Sequence, residues 1–299
     1  MTRDWEQAFS GWTGAEGTVE EDKAQRTLTR VRNALANAGA LAAEDVSVYP
    51  KGSYPNRTNV VRDSDIDVAV ELTSIVRHTF IHEAQGLGIR DVGLTPYEGA
   101  YQTNQFKNHV EAALVAEFGR PSVTRGNKAI TVAATANTLP ADVVPCQTEI
   151  VHVSRTASHR GIEIRPDRGI PIINYPKQHL DEGLAKNNRT NKRYKRTVRI
   201  LKRLENEMVA RNVIAIVPSY LIESMIWNVQ PSTLLTPTNW TGIVRAAIVE
   251  AYKATETDEV AKGLLEANGL KYLFGTHQKW TRQQGNDFLQ AAWNYVGFN

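Results

Sequence analysis

From residue 65 to 72 apolar and polar positions alternate. Ile66, Val68, Val70 and Leu72 fall on one side of a β-strand, and Asp65, Asp67, Ala69 and Glu71 on the other. Elsewhere the period lengthens. Residues 18–40 carry the spacing of a long helix, with Thr18 expected as its N-cap and Glu21 three residues on. "NQFKNHVEAALVAEFG" predicts a second helix, stopped by Gly119 and Pro121. The runs "AITVAAT", "ADVVPCQ" and "EIVHVS" predict successive strands of one sheet, and Arg155 to Pro176 reads as a long loop or hairpin. From Lys177 the pattern is helical: "TNKRYKRTVRILKRLENEMVAR", "VPSYLIESMIWNV", "WTGIVRAAIVEAYKA", "EVAKGLLEA" and "RQQGNDFLQAAWNYV". The fold class expected is α/β in residues 1–176 and mostly α in residues 177–299.

Composition narrows the picture only slightly. The chain has 299 residues, 41% hydrophobic and 22% charged, as in an ordinary globular protein, and its net charge of +3 is too small to identify a partner. Cys146 is the single cysteine, which excludes a disulfide framework and a cysteine-rich zinc site. No apolar signal core opens the chain and no apolar run spans a bilayer, so a cytoplasmic protein with no membrane partner is expected, and the Asn-x-Thr triplets at 56, 188 and 239 are read as chance matches. The seven histidines are scattered (His78 and His82 alone have helical i, i+4 spacing, without the Glu of a zinc-binding HExxH), so no metal is assigned to them. Neither a Walker A loop nor a G-x-G-x-x-G turn follows a strand.

The candidate chemistry lies in "GSYPNRTNVVRDSDIDVAVEL". The ordinary reading of an isolated D-x-D strand is an acidic face in water. Aspartate is a poor strand former, however, and two like charges on one face repel, which a hard divalent cation would relieve. Just upstream, Gly52 permits a close backbone approach and Ser53 offers an N–H and a hydroxyl to a phosphate. Asp142 in "LPADVVPC" is either a turn residue or a third ligand. Three carboxylates holding two Mg²⁺, or Mn²⁺ in its place, would suit phosphoryl transfer with pyrophosphate as leaving group.

Together with "NYPKQHLDEGLAKNNRTNKRYKRTVRILK" and "PSYLIESMIWNV", these stretches resemble the bacterial cGAS/DncV-like nucleotidyltransferases, especially their CdnE-type clade, over residues 48 to 229. The resemblance implies a polymerase-β-like nucleotidyltransferase core with a long N-terminal spine helix in residues 1–176. It implies a C-terminal helical lobe in residues 177–299 that closes the nucleotide cleft. It also implies a monomeric synthase of cyclic nucleotides in anti-phage defence, whose product activates a partner effector. By it, Asp65, Asp67 and Asp142 are the metal-binding catalytic triad, and Gly52 and Ser53 hold the donor nucleoside triphosphate.

Further assignments follow from the same likeness. Lys195, Arg199 and Lys202 share one helical face, which by itself reads as a solvated basic face or a nucleic-acid patch; the resemblance assigns it to the donor triphosphate. Ser219 and Tyr220 read as packing residues at a helix start, and by resemblance as a phosphate-binding hydroxyl and a base-stacking ring. Asn174 reads as a turn asparagine. In the clade, an asparagine at that position goes with pyrimidine preference, and its amide can pair with a uracil edge, so UTP is the expected substrate. The product expected is cyclic di-UMP or cyclic UMP–AMP. The rival readings are a template-independent RNA nucleotidyltransferase and a non-catalytic module binding RNA or another partner.

Overall fold

The computed structural model describes residues 3–15, 17–60, 65–99, 101 and 103–298, so residues 61–64 of the quoted motif lie outside it. The alternating stretch opens the longest strand of a seven-stranded sheet. The strands are β1 (Val46–Lys51), β2 (Ile66–Phe80), β3 (Val123–Arg125), β4 (Ile130–Val132), β5 (Ala141–His152), β6 (Ser158–Ile164) and β7 (Ile172–Asn174). Their order is β1-β2-β5-β4-β3, with β6 paired to β5 and β7 to β6. β2 and β5 run parallel, and every other pairing is antiparallel. The helices are α1 (Trp5–Trp12), α2 (Thr18–Ala36), α3 (Ser53–Asn56), α4 (Thr103–Phe118), α5 (Pro176–Arg189) and α6 (Arg193–Ala210). They continue with α7 (Ser219–Asn228), α8 (Pro231–Leu235), α9 (Trp240–Ala254), α10 (Asp258–Ala261) and α11 (Arg282–Val296).

The chain divides into two compact units. One comprises Gly17–Tyr54 and Ser64–Pro176; the other comprises Met1–Glu16, Pro55–Asp63 and Lys177–Asn299. In the sheet unit, Ile66, Val68, Val70 and Leu72 are buried in one cluster with Leu28 and Val31 of α2 and Val110 and Leu114 of α4. The opposite face holds a smaller cluster of Ala69, Val144, Cys146, Ile162 and Ile164. A fully buried aliphatic side chain contributes about 1.5–3 kcal/mol, so the larger cluster fixes which way β2 faces.

Three expectations change. "ADVVPCQ" and "EIVHVS" form one strand, not two, although Pro145 sits inside it. On the side away from β2, β4 pairs only as far as Val143 and β6 begins only at Gln147. The missing N–H of Pro145 therefore falls where β5 has one neighbour, and no ladder bond is lost. The cap of α2 is Gly17 in extended conformation rather than Thr18, which is the first helical residue, and the helix ends at Ala36. Of "EVAKGLLEA" only its first three residues are helical, as the end of α10 (Asp258–Ala261); beyond Gly263 the chain turns back through a bridge between Leu265 and Tyr272. The span from Arg155 to Pro176 takes the hairpin form, as β6 and β7.

The helical unit buries Tyr194, Val198, Leu201 and Met208 of α6 with Leu221 and Met225 of α7, Ile248 of α9, and Phe288 and Leu289 of α11. Among the described residues, no helix is long and apolar enough to cross a membrane.

One buried hydroxyl sets the approach to β5. Thr27 of α2, 1% exposed, donates to the carbonyl of Lys23 at 3.0 Å and accepts from the N–H of Leu139 at 2.9 Å. Thr27→Val keeps the shape and orphans that N–H, so urea unfolding should show a loss of about 1–3 kcal/mol.

Candidate active site

Strand register assembles the first part of the site. Lys51 of β1 pairs with Asp67 of β2, Asp67 with Asp142 of β5, and Asp142 with Thr131 of β4. Directly paired residues share a face, so these four side chains form one polar row across four strands, with the two carboxylates adjacent at the centre. Neighbouring strands lie about 4.8 Å apart, close enough for like charges to repel. The flanking residues absorb part of that cost. Lys51 Nζ donates to Asp67 Oδ1 at 3.2 Å, and Thr131 Oγ1 donates to Asp142 Oδ1 at 2.8 Å.

These partners draw the carboxylates to opposite sides, Asp67 toward β1 and Asp142 toward β4. Asp65 is exposed, one residue before β2. The expected three-carboxylate set is accordingly not gathered: among the described residues, no group of three or more His, Cys, Asp or Glu side chains is placed to hold a metal ion. The donor chemistry still suits a hard cation. The Asp67 side chain is 41% exposed, and the space beside it is kept clear by Gly52. Gly52 has φ +74°, and a Cβ there would lie 2.5 Å from Asp67 Oδ2. Only glycine meets both demands. Ser53, directly after it, is the first residue of the short α3.

Glu71, on the same face, has another task. It is 4% exposed, and its carboxylate accepts from Tyr49 Oη at 2.7 Å, Arg160 at 2.9 Å and Thr148 Oγ1. A buried carboxylate so fully bonded holds β1, β2, β5 and β6 together. Asn174 also reaches this face: it pairs with Ile162, which pairs with Thr148 of β5. A Cβ at Gly161 would lie 2.7 Å from the Asn174 carbonyl oxygen, so glycine is needed for β7 to approach. At the far end of the sheet, His78 and His152 stack with Nδ1 and Nε2 3.0 Å apart. A groove of about 580 Å³ beside Asp22, Arg26, Arg30 and Asn137 includes none of the candidate residues.

In the helical unit, Lys195, Arg199 and Lys202 share one face of α6, but they are 8%, 7% and 2% exposed, so the solvated-face reading fails. Arg199 donates to the carbonyls of Thr13 and Arg57. Burial, then the cations Arg196, Arg203 and Arg57, pull its pKa down to about 10, and it stays charged at neutral pH. Burial likewise lowers Lys195; the Glu223 carboxylate opposes this, and Arg199 and Arg57 add to it. The Lys195 ammonium makes no hydrogen bond to a described residue. This concentration of positive charge asks for an anion.

The anion that sequence reasoning missed is Glu223 of α7, 1% exposed. Its Oε1 lies 2.8 Å from His179 Nε2, and its Oε2 lies 2.8 Å from Thr58 Oγ1 and 3.8 Å from Lys202 Nζ. Ser219 is the first residue of α7. Tyr220 sets its ring edge against His179, centroids 4.9 Å apart, and burial pushes its hydroxyl well above the ordinary tyrosine range. The missed signal was a charge amid the apolar residues of "LIESMIW".

Burial alone would raise the Glu223 pKa, but His179, Lys202 and Thr58 outweigh it and hold the carboxyl down to about 2 against an ordinary 4.5. A depressed carboxylate stabilises the fold fully above its unfolded pKa and loses that contribution as pH falls through its folded one. Glu223→Gln should therefore cost on the order of 3 kcal/mol at neutral pH. In urea titrations across pH, the gap from the wild type should close between about pH 4.5 and about pH 2.

The comparisons with known proteins agree with this architecture. Residues 181–297 match the cGAS/DncV-like nucleotidyltransferase C-terminal helical domain. The chain is 35% identical, over 100% of both sequences, to the cyclic dipyrimidine nucleotide synthase CdnE of Legionella pneumophila. A solved structure of the Elizabethkingia meningoseptica CdnE cyclic dinucleotide synthase with GTP and Apcpp superposes with TM-score 0.80 at 31% identity, covering 98% of this chain and 99% of that one. The Rhodothermus marinus CdnE c-UMP-AMP synthase with Apcpp and Upnpp gives TM-score 0.83 at 27% identity, with 98% and 97% covered. The fold of these CD-NTases, with its polymerase-β-like core, is thus shared over 98% of the chain, and the chain belongs to the cGAS/DncV-like nucleotidyltransferases, among relatives named CdnE.

Proposed function

We propose that this chain joins nucleoside triphosphates into a pyrimidine-containing cyclic dinucleotide, cyclic di-UMP or cyclic UMP–AMP. The observation that carries the reading is the in-register pairing of Asp67 with Asp142 on an open, glycine-bordered face of the sheet. The register partners Asp67 and Asp142 would hold Mg²⁺, or Mn²⁺ in its place, which would supply charge stabilisation to the transferring phosphoryl group, and Asp65, outside that pair, would have to approach it to complete the set. An acceptor 3′-hydroxyl attacks the donor's α-phosphorus. The new P–O bond forms as the bond to the bridging oxygen breaks, pyrophosphate leaves, and Asp142 takes the hydroxyl proton. A second such transfer closes the ring.

To the helical unit we assign neutralisation of the triphosphate. Lys195 has the ammonium without a hydrogen bond to a described residue, and Arg199 and Lys202 add fixed positive charge beside it. To Ser219 we assign a phosphate contact, to Tyr220 a base contact, and to Gly52 and Ser53 the donor phosphates. Asn174, brought by β6 and β7 to the carboxylate face, is proposed as the pyrimidine reader. Its amide can donate and accept at once, and a mismatched base would leave it unsatisfied. The relatives named for dipyrimidine and UMP-AMP products support this choice, whereas one at 32% identity is named a cyclic dipurine nucleotide synthase. The product of this chain would signal in anti-phage defence.

Mass analysis of the products from all four nucleoside triphosphates tests the reading. A phosphatase-resistant cyclic dinucleotide containing uridine is expected from the wild type, and Asn174→Ser should reduce the preference for UTP over purine nucleotides about tenfold or more. Open-chain products extending RNA ends would instead favour a template-independent polymerase.

A further inference from the structure

Three consecutive residues that follow the Gly52–Ser53 turn are each held by a different helix of the helical unit. The Asn56 amide nitrogen lies 3.2 Å from Nδ1 of His179 on α5. The Arg57 carbonyl accepts from the Arg199 guanidinium on α6. The Thr58 hydroxyl donates to Glu223 on α7 at 2.8 Å. Glu223 and His179 are themselves bonded at 2.8 Å, so two of the grips form one chain, Thr58–Glu223–His179–Asn56. Every member is deeply buried: Asn56 is 1% exposed, Thr58 0%, His179 6%, Arg199 7% and Glu223 1%.

Arg57, between the two gripped side chains, has φ +53°, a left-handed conformation that a non-glycine residue adopts at a cost. Strain of this kind persists only where surrounding contacts enforce it, and the Arg199 bond to its carbonyl is such a contact. By chain order, Asn56 comes three residues after Ser53, and Thr58 comes seven before Asp65. The gripped residues therefore belong to the connection between the phosphate-binding turn and the carboxylate strand.

We propose that Glu223, His179 and Arg199 are positioning residues for nucleotide binding: by clamping Asn56, Arg57 and Thr58 they fix the chain leaving the Gly52–Ser53 turn. The proposal rests on the nucleotidyltransferase reading above. It gives Arg199 a role other than a direct phosphate contact, because the Thr13 and Arg57 carbonyls occupy its guanidinium. The clamp ties the helices that present Lys195, Lys202, Ser219 and Tyr220 to Asn56, Arg57 and Thr58 of the same unit. A loosened clamp would misplace a donor group without removing any group that touches substrate.

The test is steady-state kinetics by pyrophosphate release with UTP and ATP, at a temperature where circular dichroism shows each variant folded. Thr58→Val is isosteric and removes only the donor to Glu223. It should raise KM for the nucleotides about tenfold while kcat changes less, in line with loss of one hydrogen bond to a charge. Thr58→Ser, which keeps the hydroxyl, should restore KM to within about twofold of wild type. Leu289→Ala, in the core of the same unit, should lower stability and leave KM unchanged. An unchanged KM in Thr58→Val, or an equal rise in Leu289→Ala, would overturn the clamp alone. A wild type that releases no pyrophosphate would overturn the nucleotidyltransferase reading, and the clamp with it.

Discussion

Two carboxylates stand side by side on neighbouring strands, and much of the sheet unit can be understood as holding them there. Asp67 and Asp142 are register partners, an arrangement that costs energy unless a neighbouring charge or hydrogen-bond donor offsets it. The offset comes along the same row, from Lys51 on one flank and Thr131 on the other. The register cannot slip by one residue to relieve the repulsion. Such a slip would turn Ile66, Val68, Val70 and Leu72 away from α2 and α4 and put their carboxylate neighbours in their place. The apolar face thus stabilises what the polar face destabilises, and the protein keeps a site of negative charge that a divalent cation and a nucleotide can use.

The helical unit shows the opposite electrostatic arrangement. Lys195, Arg199 and Lys202 are buried cations on one helix, with Glu223 as the buried carboxylate bonded among them. Glu223 is ionised because its partners outweigh its burial. Buried ion pairs contribute less to net stability than their geometry suggests, but removing one partner leaves an uncompensated charge. A segment clamped by such a group is held firmly, which suits a connection that must not drift when a highly charged substrate arrives.

Much of this was legible in the amino-acid pattern, and the reasons differ by element. The strand of Ile66 to Leu72, the basic helix and the last helix follow periodicities that tertiary contacts reinforce. Pro145 misled because a proline is forbidden in a strand only where its N–H would be paired, and pairing is a property of the sheet, not of the residue. Asp65, Asp67 and Asp142 were visible as candidates, but not that Lys51 and Thr131 would draw two of them apart. The solvated-face alternative for α6 failed because charge on a helix does not reveal what packs over it. Glu223, His179 and Thr58 are far apart in the chain, and nothing local announces that one carboxylate would receive both of the others.

Thermal melting with and without Mg²⁺ and a nucleoside triphosphate, on the wild type and on Asp142→Asn, tests the opposed aspartate pair most directly. Wild-type melting should rise with Mg²⁺ and nucleotide together, because ligands that bind the folded state stabilise it. Asp142→Asn should show little of that rise, and should melt at or above the wild-type temperature without ligand, since one of two repelling charges is gone. A wild type indifferent to Mg²⁺ and nucleotide, or an Asp142→Asn protein stabilised by them as strongly as the wild type, would contradict the account.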